Sequence, residues 1–593
     1  MKMHFLHPHL VSMNILSNKI CLIAQKHLWV IGFSICAFIL FSRLGDLALI
    51  SPDEGRNAEV AREMKVNGSW LVPTYNGQTY LDKPAFYFDT VALSFAWFGE
   101  TEAVARLSSA IFAFLLLIEI FLICRKIYDQ QTAVLAILII ASTPLYMAFA
   151  RLVIFDMTLA FFVCSAIFAC YMADENNGKI QKNWYLLAAI AAAIATLVKG
   201  PVGFILPTLV MSLFHFWQGS LRVMRQAFSL VNIALFLAIV LPWFISLSWQ
   251  HPDFPYYGIM KESVGRFTTT EFHRHGHGKF YFYALIIATT FFPWSMLLPD
   301  CIYSAWKNRS LLTKPDKLFV VWAIVVVLFF SVSKSTLPGY ILTVTVALGI
   351  LFARLFSMAL NNSASQYFAI IRHGVILLAF FSILGSGLVA LSWYDPNFLI
   401  EYFPRAKALQ FENYLSFLPC IFYSFLAVAF FSVISLHLNS THLIFTSFIS
   451  VALLLMTVNF SSLVRLSEIL STKALAEKLP VDLPVNTQLA CLECLPNGLP
   501  FYTKRLITVL TTEGEEFTSN YVKFSLRSSK PWPTGIVPVA LAQNWLENQR
   551  YPVYLMARSD KLVQLEAIAK HNGLTVTALG LNYRAVFFPV KFK

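Results

Sequence analysis

Long apolar runs separated by short polar turns fill the chain from Trp29 to about Phe460. About 20 apolar residues suffice for a helix to cross the hydrocarbon core, so these runs read as membrane spans. A membrane β-barrel would show weak alternation over about ten residues per strand, a pattern missing here. The predicted spans cover residues 28–44, 104–124, 132–150, 157–173, 184–198, 202–217, 230–249, 281–298, 318–332, 340–356, 374–393, 418–436 and 443–458. A further apolar patch at 86–98 contains Asp89 and is too short to cross.

Charge decides how that patch is read. Counting it gives fourteen spans; leaving it out gives about thirteen. Without it, the loops carrying Arg125/Lys126, Lys179/Lys182, Arg222/Arg225, Lys307/Arg309/Lys314/Lys317 and Arg372 all fall on the side of the N-terminus. That is the positive-inside pattern. The patch therefore reads as a juxtamembrane or re-entrant helix. Residues 51–85, residues 151–156, the loop 250–280, the turn at Lys334 and the tail then share the outer face. From about Leu466 the pattern changes to strand-like runs alternating with a helical one, as in QLACLECLPNGLPFYTKRLITVL. This predicts a soluble α/β domain of about 130 residues, large enough for its own core.

The expected organisation is a cytoplasmic tail (1–27), a membrane domain (28–462) and an outer α/β domain (463–593). The membrane domain contains a first outer loop (45–103) and a second (250–280). The fold class is a polytopic α-helical membrane protein with a C-terminal α/β domain. Composition agrees: of 593 residues, 57% are hydrophobic and 13% charged, against about 25% charged in soluble domains. The formal charge of +13 is taken up by orientation signals in the loops, and no nucleic-acid partner is expected. Six cysteines from Cys21 to Cys301, and Cys420, lie near or within apolar runs and read as small hydrophobes. Cys491 and Cys494 form a C-x-x-C read as a local disulfide or two free thiols.

Candidate chemistry gathers on the outer face. Asp53 and Glu54 follow Pro52, and Arg56, Glu59, Arg62 and Glu63 come next. This is either an acidic helix N-terminus with surface ion pairs, or a carboxylate pair acting at a membrane surface. A carboxylate there would deprotonate or orient an acceptor. Asp156 lies among apolar residues, with Arg151 five positions upstream as a possible partner. Lys83, Lys199 and Lys334 are single cations at helix junctions; any one of them could snorkel to lipid headgroups, while the three together with Arg266 suit a phosphate. His273, His275 and His277 alternate in the second outer loop, as a metal-binding or simply a flexible polar stretch.

The order Asp53-Glu54-Gly55-Arg56, Asp82-Lys83-Pro84, Arg151 and Asp156, Lys199-Gly200-Pro201, Glu262 and Arg266-Phe267, and Phe292-Pro293-Trp294-Ser295 resembles bacterial GT-C glycosyltransferases of the protein-mannosyltransferase-related superfamily. The branch it resembles most is the lipid A 4-amino-4-deoxy-L-arabinose transferases. The resemblance is strong over about 51–340 and continues weakly in Leu499-Pro500-Phe501-Tyr502. It implies a GT-C fold and inverting transfer of a sugar from an undecaprenyl-phosphate-linked donor, at the outer face of the bacterial inner membrane. The acceptor implied is lipid A or a related glycolipid, and the chain is expected to act as a monomer. By position, Asp53 and Asp156, with Glu54 beside Asp53, match the catalytic carboxylates. Lys83 and Arg266 match donor-phosphate contacts, and Tyr340 a residue near the donor; Arg56, Lys199 and Lys334 complete the expected substrate-binding set.

Where that branch has Glu-Lys-Pro-Pro, this chain has Asp82-Lys83-Pro84-Ala85. Where it has Glu-His, this chain has Glu262-Ser263. Both changes touch the place where a metal is associated with the family. No cofactor is therefore expected to be required, and Asp82 with His273, His275 and His277 marks where a divalent ion would sit. Two other readings fit part of the pattern. A protein O-glycosyltransferase would use the same fold on a Ser or Thr hydroxyl. A transporter of a lipid-linked sugar would usually carry mid-helix ions and internal repeats, which this sequence lacks.

Overall fold

The computed structural model describes residues 27–174, 181–265, 281–333, 335–362, 365–397, 415–528, 531–580 and 582–590. Among them, seven helices are long and apolar enough to cross a membrane, and ten if each of three bent pairs is one span. The first part of the chain builds α1 (His27–Phe41), α2 (Asp53–Asn67), a short hairpin of β1 (Thr74–Tyr75) and β2 (Gln78–Thr79), and α3 (Phe86–Phe98). Then follow α4 (Glu102–Ile127), α5 (Gln130–Ser142), α6 (Pro144–Ala150), α7 (Asp156–Asp174), α8 (Lys182–Lys199) and α9 (Val202–Trp217).

Two expected spans are not straight. The 132–150 run breaks between α5 and α6 with a 71° bend at Thr143-Pro144. The 281–298 run is two helices, Phe282–Thr290 and Trp294–Lys307, at 113° to one another. Pro293 stands in the break. Proline has no N–H to donate and its ring clashes one turn back, so an apolar run containing it need not continue as one helix.

α2 is the unusual element. Its sequence DEGRNAEVAREMKVN is polar on all sides, yet Glu54 to Met64 are all buried. Such a helix is tolerated inside a protein only when its charges are partnered. Here Arg62 donates to both oxygens of Glu59 at 2.7 Å, and Glu63 accepts from Thr74 Oγ1 at 2.6 Å and from the Gly77 N–H. Gly55 lets α2 press on the C-terminal domain, because a Cβ there would fall 2.5 Å from Gly498 Cα.

The C-terminal domain is a six-stranded sheet of β3 (Gln488–Leu492), β4 (Ile507–Thr511), β5 (Ile536–Pro538), β6 (Val553–Arg558), β7 (Thr577–Leu579) and β8 (Tyr583–Phe588). The strand order is β5-β4-β3-β6-β8-β7; the first four are parallel and the last two antiparallel. Parallel strands covered on both faces read as unbroken apolar runs, which is how QLACL, ITVLT and VYLMA appear. Period-two alternation assigns the faces. Ala490, Leu492, Leu555 and Ala557 form the domain's own core, while Leu489, Cys491, Val509 and Met556 join the core of the membrane bundle. Cys491 and Cys494 are buried free thiols, the second of the two expected states.

The hairpin adds to this junction. Asn76 bonds both the N–H and the C=O of Ile507, at 2.8 and 2.7 Å, at the start of β4. Tyr502 Oη accepts from the Leu49 N–H at 2.8 Å. The polar stretch 51–85 is therefore dovetailed into the C-terminal domain rather than standing as a free loop.

Candidate active site

Six segments of the chain meet around a cavity of about 680 Å³. Its charged lining consists of Asp82, Lys83, Asp156, Lys199 and Glu262, with Tyr340, Ser333 and Ser335 beside them. The remaining wall is largely apolar, from Leu159 and Val163 of α7, Phe204 and Ile205 of α9, and Phe236 to Phe244 of the helix Leu230–Gln250. Val163 is seven residues along α7 from Asp156, which puts the apolar wall about 10 Å into the bundle.

Asp156 opens α7 and Lys199 lies in the last turn of α8. An anion at a helix N-terminus and a cation at a C-terminus each complement the macrodipole. The packing of α7 beside α8 brings the two together: Lys199 Nζ donates to Asp156 Oδ1 at 2.5 Å. Gly200, at φ 76°, ends α8 just after the lysine, in a region that other residues adopt at a cost. The Lys199 ammonium also lies 4.6 Å from the Tyr340 ring centre and 5.0 Å from that of Phe155. Lys83 lies 5.8 Å from the Phe155 ring centre and donates to Glu262 Oε1 at 2.5 Å. Two cavity-lining lysines, each held by a carboxylate, thus lie within 5.8 Å of the centre of the same aromatic ring.

Asp53 is not among the described residues lining this cavity. Its side chain is 52% exposed, and it accepts from Arg56 at 2.6 Å. Arg56 is buried, donates also to Thr518 Oγ1 at 3.1 Å, and holds its proton more firmly than a free arginine. Burial alone would weaken that hold, but the neighbouring Tyr80 and Asp53 outweigh it. Arg56 does not line the cavity either, so its direct place at the substrate gives way to a place behind Asp53.

Glu54 is corrected more strongly. It is fully buried, and both of its oxygens accept from Arg106 at 2.8 Å. They also accept from the backbone N–H groups of Ile50 and Val153 at 2.9 Å. A carboxylate with four donors is saturated and walled off, so Glu54 clamps α2 to α4 and the turn before α7 rather than reacting. Arg151 does not pair with Asp156. Its guanidinium bonds the carbonyls of Ile39, Leu40, Ser42 and Arg43 and closes the end of α1.

Asp82 is held by groups of the C-terminal domain and of the 250–265 segment. It accepts from Tyr257 Oη at 2.7 Å and from the backbone N–H groups of Tyr521 and Asn520 at 2.8 and 2.9 Å. Among the described residues no group of three or more His, Cys, Asp and Glu side chains could hold a metal. Arg266, Lys334, His273, His275 and His277 lie outside the described residues.

Sequence reasoning missed Arg106 and gave Glu262 no role of its own. A lone arginine near the start of the apolar run 104–124 was the available signal for the first, since such a charge needs a buried partner. Nothing local signalled the second, whose lysine is 179 residues away.

The family described as dolichyl-phosphate-mannose-protein mannosyltransferase matches residues 44–257. An undecaprenyl phosphate-alpha-4-amino-4-deoxy-L-arabinose arabinosyl transferase of Erwinia tasmaniensis is 28% identical over 314 residues, 52% of this chain and 55% of that protein. A second transferase of that name, from Proteus mirabilis, is 30% identical over 320 residues, 54% of this chain and 56% of its own. The match thus spans little more than half the length of these curated relatives. In three dimensions the likeness is far more extensive. The crystal structure of ArnT from Cupriavidus metallidurans bound to undecaprenyl phosphate superposes with a TM-score of 0.76, covering 94% of this chain and 98% of that one at 23% identity. This chain has the ArnT fold. The apo form of that protein gives 0.75. The resemblance read from the motifs is to the same transferases.

Proposed function

We propose that this protein is an inverting, polyprenyl-phosphate-dependent glycosyltransferase that passes a sugar such as aminoarabinose to lipid A or a related envelope glycolipid. The observation that carries this reading is the cavity itself: a deep apolar wall topped by two lysines and by Asp156, Glu262 and Tyr340. An isoprenoid chain needs the wall, and the phosphate that leaves with it needs the cations. The sequence relatives bear names of this activity, and the solved protein of the same fold is bound to undecaprenyl phosphate.

In this account Lys83 exchanges Glu262 for the donor phosphate, with Lys199 and Tyr340 flanking the sugar. Arg266 and Lys334 are assigned further phosphate contacts by the motif order alone. Asp156 faces the sugar, and Asp53, oriented by Arg56, meets the acceptor at the cavity mouth. The acceptor oxygen attacks the anomeric carbon from the side opposite the phosphate. The bond from that carbon to the phosphate oxygen breaks, and its electron pair leaves with the polyprenyl phosphate. A lipid A phosphate is already ionised, so Asp53 orients it; a hydroxyl acceptor would give its proton to the carboxylate.

The finer arrangement we propose is thirteen spans, with Phe86–Phe98 lying at the surface. The N-terminus is on the basic, cytoplasmic side of the bacterial inner membrane, and the 463–593 domain is outside. The chain is proposed to act as a monomer. Mass spectrometry of lipid A from cells with and without the protein tests the reading. A sugar-sized mass increment that depends on the protein is expected; an unchanged lipid A profile alongside altered envelope glycoproteins would favour a protein acceptor.

A further inference from the structure

Residues 518–521 of the C-terminal domain touch the site at three places. Thr518 Oγ1 accepts from Arg56 at 3.1 Å and donates to Asn497 Oδ1 at 3.0 Å. Ser519 Oγ and the Asn520 and Tyr521 N–H groups all donate to Asp82, next to Lys83. Asn520 Nδ2 donates to Glu262 Oε2 at 3.4 Å, the carboxylate that holds Lys83. Tyr521 Oη donates to Asp253 at 3.0 Å, and its ring packs 5.1 Å from that of Tyr257.

The backbone at Thr518 gives an independent indication. Its φ is 49°, a left-handed conformation that is costly for a β-branched residue and relaxed for glycine. The turn alone would be better served by glycine. What threonine adds is the hydroxyl between Arg56 and Asn497. The location also has a precedent in fold physics. In open α/β sheets the loops past the carboxyl ends of parallel strands are the working edge. Here the loops after β3 and β4 carry Asn497 and Thr518, and that edge faces the membrane domain.

We propose that segment 518–521 positions Arg56 and Lys83 for transfer, making the C-terminal domain a working part of the active site. This rests on the transferase reading above. The full-length protein in lipid vesicles, supplied with undecaprenyl-phosphate aminoarabinose and lipid A, provides the test. Thr518→Gly is expected to leave the melting temperature within about 2 °C of wild type and to lower kcat about tenfold (roughly 1.4 kcal/mol) with donor KM unchanged. Thr518→Ser is expected to restore kcat, and Asn520→Ala to raise donor KM with kcat kept. Wild-type kinetics for Thr518→Gly and Asn520→Ala overturn the inference and leave the transferase reading standing. An inactive wild type counts against the transferase reading, and amide exchange then decides the positioning claim. Faster exchange at 53–57 and 80–84 in Thr518→Gly, with β3 to β6 unchanged, supports it; unchanged exchange there overturns it.

Discussion

Lys199 Nζ lies 2.5 Å from Asp156 Oδ1, joining the end of one cavity-lining helix to the start of another. The pair is held in place by two macrodipoles and by the aromatic rings of Phe155 and Tyr340. Asp156→Asn keeps the shape and one acceptor but removes the charge. It is expected to lower transfer per folded molecule by about 10²- to 10³-fold, and to lower the melting temperature as well, because Lys199 loses its buried partner. Retained turnover in a vesicle assay would remove Asp156 from the reaction.

Glu54 and Asp53 are neighbours with opposite expected fates. Removing one partner from a buried ion pair costs about 3–5 kcal/mol, so Glu54→Ala and Arg106→Ala should deplete folded protein from membranes. Asp53→Asn, at an exposed position, should leave folding intact and abolish transfer. Thermal-shift and activity measurements on the three variants separate the two roles.

Gly55 should not accept a side chain. A Cβ would meet Gly498 at 2.5 Å from Cα and 2.7 Å from N, backbone atoms that cannot swing away. Gly55→Ala is expected to destabilise by about 1–3 kcal/mol and to expose the 463–593 domain to limited proteolysis.

Asp82 is expected to act through hydrogen bonds to residues 519–521 and Tyr257 rather than through a metal. A chelator should leave transfer unchanged. Asp82→Ala should loosen the docked domain, read as faster amide exchange in the helix Asn520–Ser528. Loss of activity on chelation, restored by a divalent ion, would reverse this assignment.

Much of this architecture was legible from the apolar runs, because membrane spans announce themselves by length and polarity. The helix starting at Asp53 and the short Phe86–Phe98 helix were reachable from the same pattern, and the cavity residues Lys83, Asp156 and Lys199 from their isolated charges at helix ends, which are rare and need partners; Tyr340 came only from the family resemblance. The Glu54–Arg106 clamp was not, because its members are 52 residues apart and no periodicity links them. The polar sequence of α2 reads as a surface helix; its burial depends on a domain that arrives more than 400 residues later. The reach of Thr518 to Arg56, across 462 residues, is invisible to any local pattern for the same reason.

The central claim is that the cavity topped by Lys83 and Lys199 holds a polyprenyl phosphate. Binding of undecaprenyl phosphate to the purified protein in detergent, compared with undecaprenol and with the folded Lys83→Ala variant, tests it most directly. The account predicts saturable binding by the wild type, at least tenfold weaker binding by Lys83→Ala, and little discrimination between phosphate and alcohol in that variant. Equal affinity of wild type and Lys83→Ala for undecaprenyl phosphate would contradict it.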